Sequence, residues 1–482
     1  MTSKSDKESI GRVVGNTSID SFQFASKYQI SENYIQIEKK KNTTDEKKSI
    51  LLCRILSMNI VNKYFTNSEI IHYINLNDNF SANVTYEYNV KVVACIEGGN
   101  ISNTVVPAIP GDFVYVADGV NINIAYGIPT EGINVGGLMH FPESKIFLDP
   151  TKIFNPHMII LGKTGSGKSY FARGLIPPLL KAGYRILVFS PSDEYNELSL
   201  TSSDPTIPTI SVLRSEEIVL DYDLDNIGHF FDMTASEEQI LDKVMVNEHM
   251  INSSQNLIAL IKDSYSANPV EKNIQHSLSS FTIGDGGSNH RPFVNRQSPQ
   301  LPQSAQTLIA KLKKKELLFS KNNKTEINSS CIIDMGGNTQ EEQECIIYYY
   351  LSRLLATHKK NPSSLPKTII FLEEAHNYVP SVKSTLCKNA IVKLAREGRK
   401  FQLSLCFITQ RPRNFDQTAL SQISNTFIFS ITHQEDIQHV LEEAVYYNSD
   451  TKTMIQNLNR GECVVNGNAF NDIVNFKVNF PK

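Results

Sequence analysis

No window of this 482-residue sequence approaches the run of about 20 apolar residues needed to span a bilayer. The first residues, MTSKSDKESIGRVV, contain no signal-peptide core. A cytoplasmic protein is therefore expected, one that a partner must bring to any membrane it serves. Bulk positive charge is missing too: 47 Lys and Arg against 50 Asp and Glu give a net charge of −3. Net charge thus offers nucleic acid no attraction, and a polyanionic partner would need a local basic surface. The seven cysteines (Cys53, Cys95, Cys331, Cys345, Cys387, Cys406, Cys463) form no C-x-x-C pair, and several sit in apolar runs such as SLCFIT. They read as reduced core residues, not as a disulfide framework or zinc site. No internal repeat suggests a solenoid.

What is present is ordinary globular composition, 40% hydrophobic and 20% charged, on a chain long enough for two or three domains. From residue 10 to about 145, short apolar runs (IGRVV, YIQIE, ILLCRIL, KVVACI, DFVYVA, INIAYGI, INVGGLM) alternate with turn-rich pieces such as EGGN and IPGD. This spacing predicts an N-terminal small β-barrel or sandwich over 1–150. TNSEIIHYINLNDNF is less regular, a connection or short helix. From 151 to 482 the pattern becomes α/β: HMIIL and YRILVFS read as strands of a mostly parallel sheet, with KSYFARGLIPPLLKAG as the helix between them. Pro177 and Pro178 should end or kink that helix. A helical insertion is expected over about 216–328, enclosing an exposed loop, GDGGSNHRPFVNRQSPQLPQ. The α/β alternation then resumes through SSCIIDM, TIIFLEE, SLCFITQ and NTFIFSI.

The stretch MIILGKTGSGKSYF fits G-x-x-x-x-G-K-[ST] at Gly162, Gly167, Lys168 and Ser169, between a strand and a helix. Glycines let backbone N–H groups surround a phosphate, and the helix start adds its positive dipole end. Lys168 would reach the β- and γ-phosphates of ATP, and Ser169 would ligate Mg²⁺. The nucleotide contacts are placed at Gly162, Thr164, Gly165, Ser166, Gly167, Lys168, Ser169 and Tyr170. Glu373 and Glu374, at the carboxyl end of TIIFL, supply the acidic element. Glu373 would hold the Mg²⁺ water shell and Glu374 would polarise the attacking water. The alternative is two solvated glutamates at a helix start. Gln410 ends the next strand, where an amide can report the γ-phosphate, or simply bond nearby backbone. In KLAREGRKF, Ile391, Leu394 and Ala395 form an apolar stripe that leaves Arg396 on the polar side. Gly398 is expected to close the helix, with Arg399 just beyond it. Arg399, or else Arg396, could act as a finger on a neighbouring subunit's γ-phosphate. The lysines of AKLKKKELL, Lys311, Lys313, Lys314 and Lys315, read as a solvated helical face before a DNA pore.

Taken together, ILGKTGSGKS, FLEEAHNYVP, AREGRKFQLSLCFITQRP and LNRGECVVNG resemble the HerA family of hexameric RecA-like ATPases, relatives of FtsK. The β-rich front end resembles the HAS-barrel of that family. The resemblance implies a homo-hexamer with ATP sites between neighbours, sequence-independent DNA in the central channel, and an effector on the barrel face. Family effectors include a nuclease in DNA repair and a nuclease or sirtuin-like NADase in anti-phage defence. An ATP-gated scaffold with little motor activity is the alternative, and a conjugative or packaging motor a third. Two departures stand out. Members often read D-P-H-G-E-Y after the second strand. Here SPSDEY keeps Glu194, a further expected nucleotide contact, and Tyr195, but places Ser190 where the aspartate stands. Pro156 replaces an arginine often found before the histidine of the first strand.

Overall fold

The computed structural model describes residues 8–40, 48–62, 84–103, 106–139, 141–199, 205–220, 233–245, 254–266, 301–314, 327, 329–362, 364–431, 433, 435–438 and 449–480. TNSEIIHYINLNDNF, and all but the last three residues of GDGGSNHRPFVNRQSPQLPQ, lie outside them. The chain forms two units. One comprises Met1–Ala182, Ser404–Arg413 and Leu420–Lys482, the other Gly183–Leu403 and Asn414–Ala419.

The first unit opens with the barrel. Its strands are β1 (Gly11–Val14), β2 (Ser21–Ser26), β3 (Tyr34–Lys40), β4 (Lys48–Asn62), β5 (Val84–Glu97), β6 (Asn100–Ile101) and β7 (Phe113–Val116). They run antiparallel in the order β2-β1-β7-β3-β4-β5, with β6 beyond β5, and a β2–β5 pairing closes six of them into a ring. Closure removes the exposed edges that invite mispairing. Alternate residues point inward: Phe22 and Phe24, Ile35 and Ile37, Leu51 and Cys53 are buried together. Phe24 stacks on Tyr88 across the closing pair, with ring centroids 4.8 Å apart.

Two runs expected as barrel strands behave differently. INIAYGI falls within helix α1 (Gly119–Tyr126) and its left-handed cap. Asp118 caps its N-terminus by accepting the Val120 N–H, Gly127 closes it at φ +67°, and Ile122, Ala125 and Tyr126 are the buried positions. The two caps fix eight helical residues whose alternating apolar pattern reads as a strand. INVGGLM does form a strand, but one that pairs with the second sheet.

The strands beyond the barrel are β8 (Ile133–Leu138), β9 (Phe141–Leu148), β10 (His157–Leu161), β11 (Arg185–Ser190), β12 (Ser211–Leu213), β13 (Cys331–Asp334), β14 (Thr368–Leu372), β15 (Leu403–Thr409), β16 (Ile423–Ile428), β17 (Glu462–Gly467) and β18 (Val474–Val478). In the first unit their order is β15-β10-β16-β17-β18-β8-β9. β10 is parallel to both β15 and β16, and the remainder is antiparallel. In the second unit β12-β13-β11-β14 are all parallel.

Helix α2 (Lys168–Lys181) follows β10 and runs unbroken through Pro177 and Pro178. Neither proline ends it, because Leu175, Ile176, Leu179 and Leu180 are buried on both sides of the pair, and packing outweighs the lost hydrogen bonds. The second unit carries α3 (Ala235–Met245), α4 (Ser254–Ser266) and α5 (Gln303–Lys314) in the expected insertion, then α6 (Gln340–Lys360) and α7 (Lys388–Glu397). Lys311 on α5 is 2.9 Å from the buried Glu237 carboxylate of α3 and thus ties the insertion together, whereas Lys313 is exposed. All seven cysteines are buried thiols.

Candidate nucleotide site

All five residues of β10 are buried, and the chain leaves its carboxyl end through a loop of left-handed glycines. Gly162 has φ +152°, Gly165 +75° and Gly167 +117°. A Cβ on Gly162 would stand 2.7 Å from Cβ of Phe429 and 2.8 Å from Ser166 Oγ, so no side chain fits there. At Gly165 the same construction meets nothing within 4 Å, which leaves the backbone open to an approaching ligand.

The loop is braced from three directions. The Lys163 N–H donates to Ser430 O (2.8 Å), the Gly461 N–H donates to Ser166 O (2.9 Å), and Ser166 Oγ donates to Lys163 O (2.7 Å). Buried Ser166 is therefore a brace within the loop. Lys168, only 7% exposed, donates from Nζ to Lys163 O at 3.1 Å. Ser169 lies in the first turn of α2. Tyr170 is half exposed, its ring edge-on to Phe480 with centroids 6.0 Å apart. The parallel register Leu161↔Thr409 sets Gln410 level with Gly162, and Thr164 Oγ1 donates to Gln410 Oε1 at 2.6 Å. Gln410 thus contacts the loop itself through its side chain. Open backbone at a glycine, a buried lysine ammonium at a helix start and a serine hydroxyl beside it fit the phosphates of ATP and a Mg²⁺ ion.

The carboxylates lie in the second unit. Glu373 follows β14, donates its N–H to Phe189 O of β11 and is 5% exposed. Ser190 Oγ donates to Glu373 Oε2 at 2.6 Å, and Ser192 Oγ lies 3.3 Å from the same oxygen. Burial pushes the Glu373 carboxyl up to about 6. Ser190 opposes the shift, and Glu194 and Glu374 add to it. Ser190, which sequence reasoning registered only as a departure, is therefore a direct partner of Glu373. Asp193 and Glu194 are exposed in a 3₁₀ segment, Asp193–Ser199, beside the fully buried Tyr195. Glu374 takes the left-handed conformation, φ +48°, unusual for a residue with a side chain. Its Oε2 is 3.3 Å from His376 Nδ1.

Ile391, Leu394 and Ala395 of α7 are buried as expected, and Arg396 and Arg399 are exposed. Gly398, however, does not close the helix in the left-handed form. It has φ −55° and starts a 3₁₀ turn, Gly398–Phe401, which carries Arg399. The left-handed residue is Gln402, φ +60°. Glycine is required at 398 for space, since a Cβ would lie 2.8 Å from Leu403 O. Phe429 and Ser430 gave no sequence signal as parts of the nucleotide loop. Gly461, left-handed at φ +79°, falls within the quoted LNRGECVVNG run.

Barrel, parallel strands and glycine loop define the class: a RecA-like P-loop NTPase. A family model described as the central domain of helicase HerA matches residues 133–355. Over 479 residues the chain is 25% identical to "Probable helicase MJ1565" of Methanocaldococcus jannaschii, covering 96% of this chain and 89% of that protein. It is 23% identical over 399 residues to the DNA double-strand break repair helicase HerA of Sulfolobus acidocaldarius, covering 78% and 74%. The chain is thus similar over most of its length to HerA-type helicases, and it is an ATP-hydrolysing enzyme. VirB4 of Thermoanaerobacter pseudethanolicus shares its fold, with a TM-score of 0.53 at 15% identity over 73% of this chain and 98% of that one. Among the described residues, no helix is long and apolar enough to cross a membrane.

Proposed function

We propose that the chain is an ATP-driven DNA translocase that works as a ring of six. The observation that carries this reading is the braced glycine loop at the end of β10, with Lys168 buried at the helix start and Thr164 bonded to Gln410. Relatives named as DNA double-strand break repair helicases support it. Bound ATP with Mg²⁺ would supply the phosphoanhydride whose cleavage drives movement. In this reading Gly162, Thr164, Gly165, Ser166 and Gly167 shape the phosphate loop, and Lys168 neutralises the phosphates. Ser169 would ligate Mg²⁺, and Glu373 would hold its water shell. Glu374 polarises the attacking water, Gln410 senses the γ-phosphate, and Arg399 or Arg396 enters from the neighbouring subunit. Tyr170 and Glu194 are further nucleotide contacts. The closed barrel would carry a nuclease or NADase effector, in repair or anti-phage defence. A Lys168→Ala protein should keep its fold and lose DNA-stimulated ATP hydrolysis by on the order of a hundredfold or more. Absence of DNA stimulation and of translocation in the wild-type protein, with its effector present, would overturn the reading.

One observation favours a second reading, an ATP-gated scaffold with little motor activity. Glu373 is held by two serine hydroxyls and its carboxyl is pushed up to about 6. A carboxylate so engaged competes less well for a metal's water shell. Full effector output from a Glu374→Gln ring would select the scaffold.

A further inference from the structure

The turn that carries Arg399 is held unusually well for a surface turn. His358, in the last turn of α6, is fully buried and places Nδ1 2.8 Å from Phe401 O. A carbonyl oxygen only accepts, so Nδ1 carries the proton and donates. Beside it, Lys359 Nζ lies 2.6 Å from Glu397 Oε2 and 5.3 Å from the centroid of the Phe401 ring. Gln402 ends the turn in the left-handed form. Its side-chain amide donates to Pro362 O at 2.8 Å, and its backbone N–H is directed at the carbonyls of Gly398 and Arg399. Gly398 is packed too closely on Leu403 O to admit a side chain. The four residues Gly398–Phe401 are therefore tied at both ends, while the Arg399 side chain between them projects into solvent. Arg396 lies earlier, on the exposed face of α7. An exposed arginine on a fixed backbone suits a group that must reach a charge on another molecule, because the turn's conformational entropy is already lost before contact.

We propose that His358 is a positioning residue for hydrolysis: by donating Nδ1–H to Phe401 O, it fixes the turn from which Arg399 reaches ATP held by the neighbouring subunit. This rests on the ring reading given above, and it selects Arg399 over Arg396. In such a ring every site has a loop side and a turn side from different subunits. His358→Leu removes the donor, and His358→Asn keeps an N–H near the position of Nδ1.

The test mixes subunits. His358→Leu rings should lose kcat by roughly ten- to a hundredfold with little change in KM for ATP, and His358→Asn should recover most of it. A 1:1 mixture of His358→Leu with Glu374→Gln subunits should regain about a quarter of wild-type activity, because one interface in four pairs two intact halves. The control mixture is Arg399→Ala with Glu374→Gln. If the control regains activity and the His358 mixture does not, the proposal is overturned while the finger in trans stands. If neither regains activity, the finger reading fails and the proposal with it. Should the Leu protein not assemble, exposed Lys359→Met carries the test. It should lower kcat about threefold and show the same recovery in mixture. His358→Gln, whose longer amide does not reach the position of Nδ1, should lose kcat as the Leu variant does; a His358→Gln ring with unchanged kcat would overturn the proposal.

Discussion

At Glu373 three influences meet on one carboxyl. Burial raises its pKa, the Ser190 hydroxyl stabilises the charged form, and neighbouring carboxylates oppose it, leaving a value of about 6. The ionised form is the one that can hold a metal's water shell. At sub-saturating Mg²⁺, hydrolysis should therefore fall as pH drops through about 6. Ser190→Ala removes a donor to the charged form, so the pKa rises and the acid limb of the rate profile moves to higher pH. The expected result is a further loss of roughly threefold near that pH and little change under alkaline conditions, read from parallel rate profiles. A Ser190→Ala profile that overlays the wild type would show that the serine has no hold on Glu373. The glycines, Lys168, the paired glutamates and Gln410 all announce themselves as candidates by type and spacing. Their partners do not. Ser190 and Ser430 meet Glu373 and the loop through geometry that strands far apart in sequence create, while His376 lies inside the quoted FLEEAHNYVP run with nothing there to mark it as the contact of Glu374.

Among the elements, α2 shows where local rules yield to packing. Its tandem prolines should break it, but buried leucines and isoleucine on either side keep it whole. Gly174, one turn before, reads as a weak point in a helix; it is a seat. A Cβ there would lie 2.2 Å from the Phe480 ring. Gly174→Ala should destabilise the protein by about 1–3 kcal/mol. Phe480→Ala should relieve the clash, so the double variant loses less than the sum of the singles in thermal unfolding. Additive losses would mean that the two do not meet. The parallel strands and their helices were legible because buried strands read as continuous apolar runs bounded by turns. α1 was not, because eight residues of mixed apolar and Asn character satisfy either period, and only the caps at Asp118 and Gly127 decide.

For the whole molecule, a net charge of −3 means that the proposed DNA partner would have to be held by a local surface. Of the AKLKKKELL lysines, Lys311 is engaged within the insertion by its ion pair with Glu237. Binding should still be electrostatic and indifferent to sequence. The logarithm of DNA affinity, measured by DNA-stimulated hydrolysis, should fall linearly with the logarithm of salt concentration, equally for unrelated sequences. A flat salt response would argue against a backbone-tracking ring. The closed barrel and the braced loop are independent features of the first unit, and the alternation of apolar runs revealed the barrel's existence without revealing which runs close it.

The bond from Gly461 to Ser166, and the seating of Gly162 against Phe429, join the glycine loop to residues made long after it during synthesis. A nascent chain on the ribosome can finish its barrel before the loop is made, since every barrel strand precedes the loop in sequence. Of its three bracing bonds, the glycine loop has only the internal Ser166–Lys163 bond until Phe429, Ser430 and Gly461 have emerged. The loop's final shape is thus set from a distance, by strands that follow it, and well after the barrel has formed.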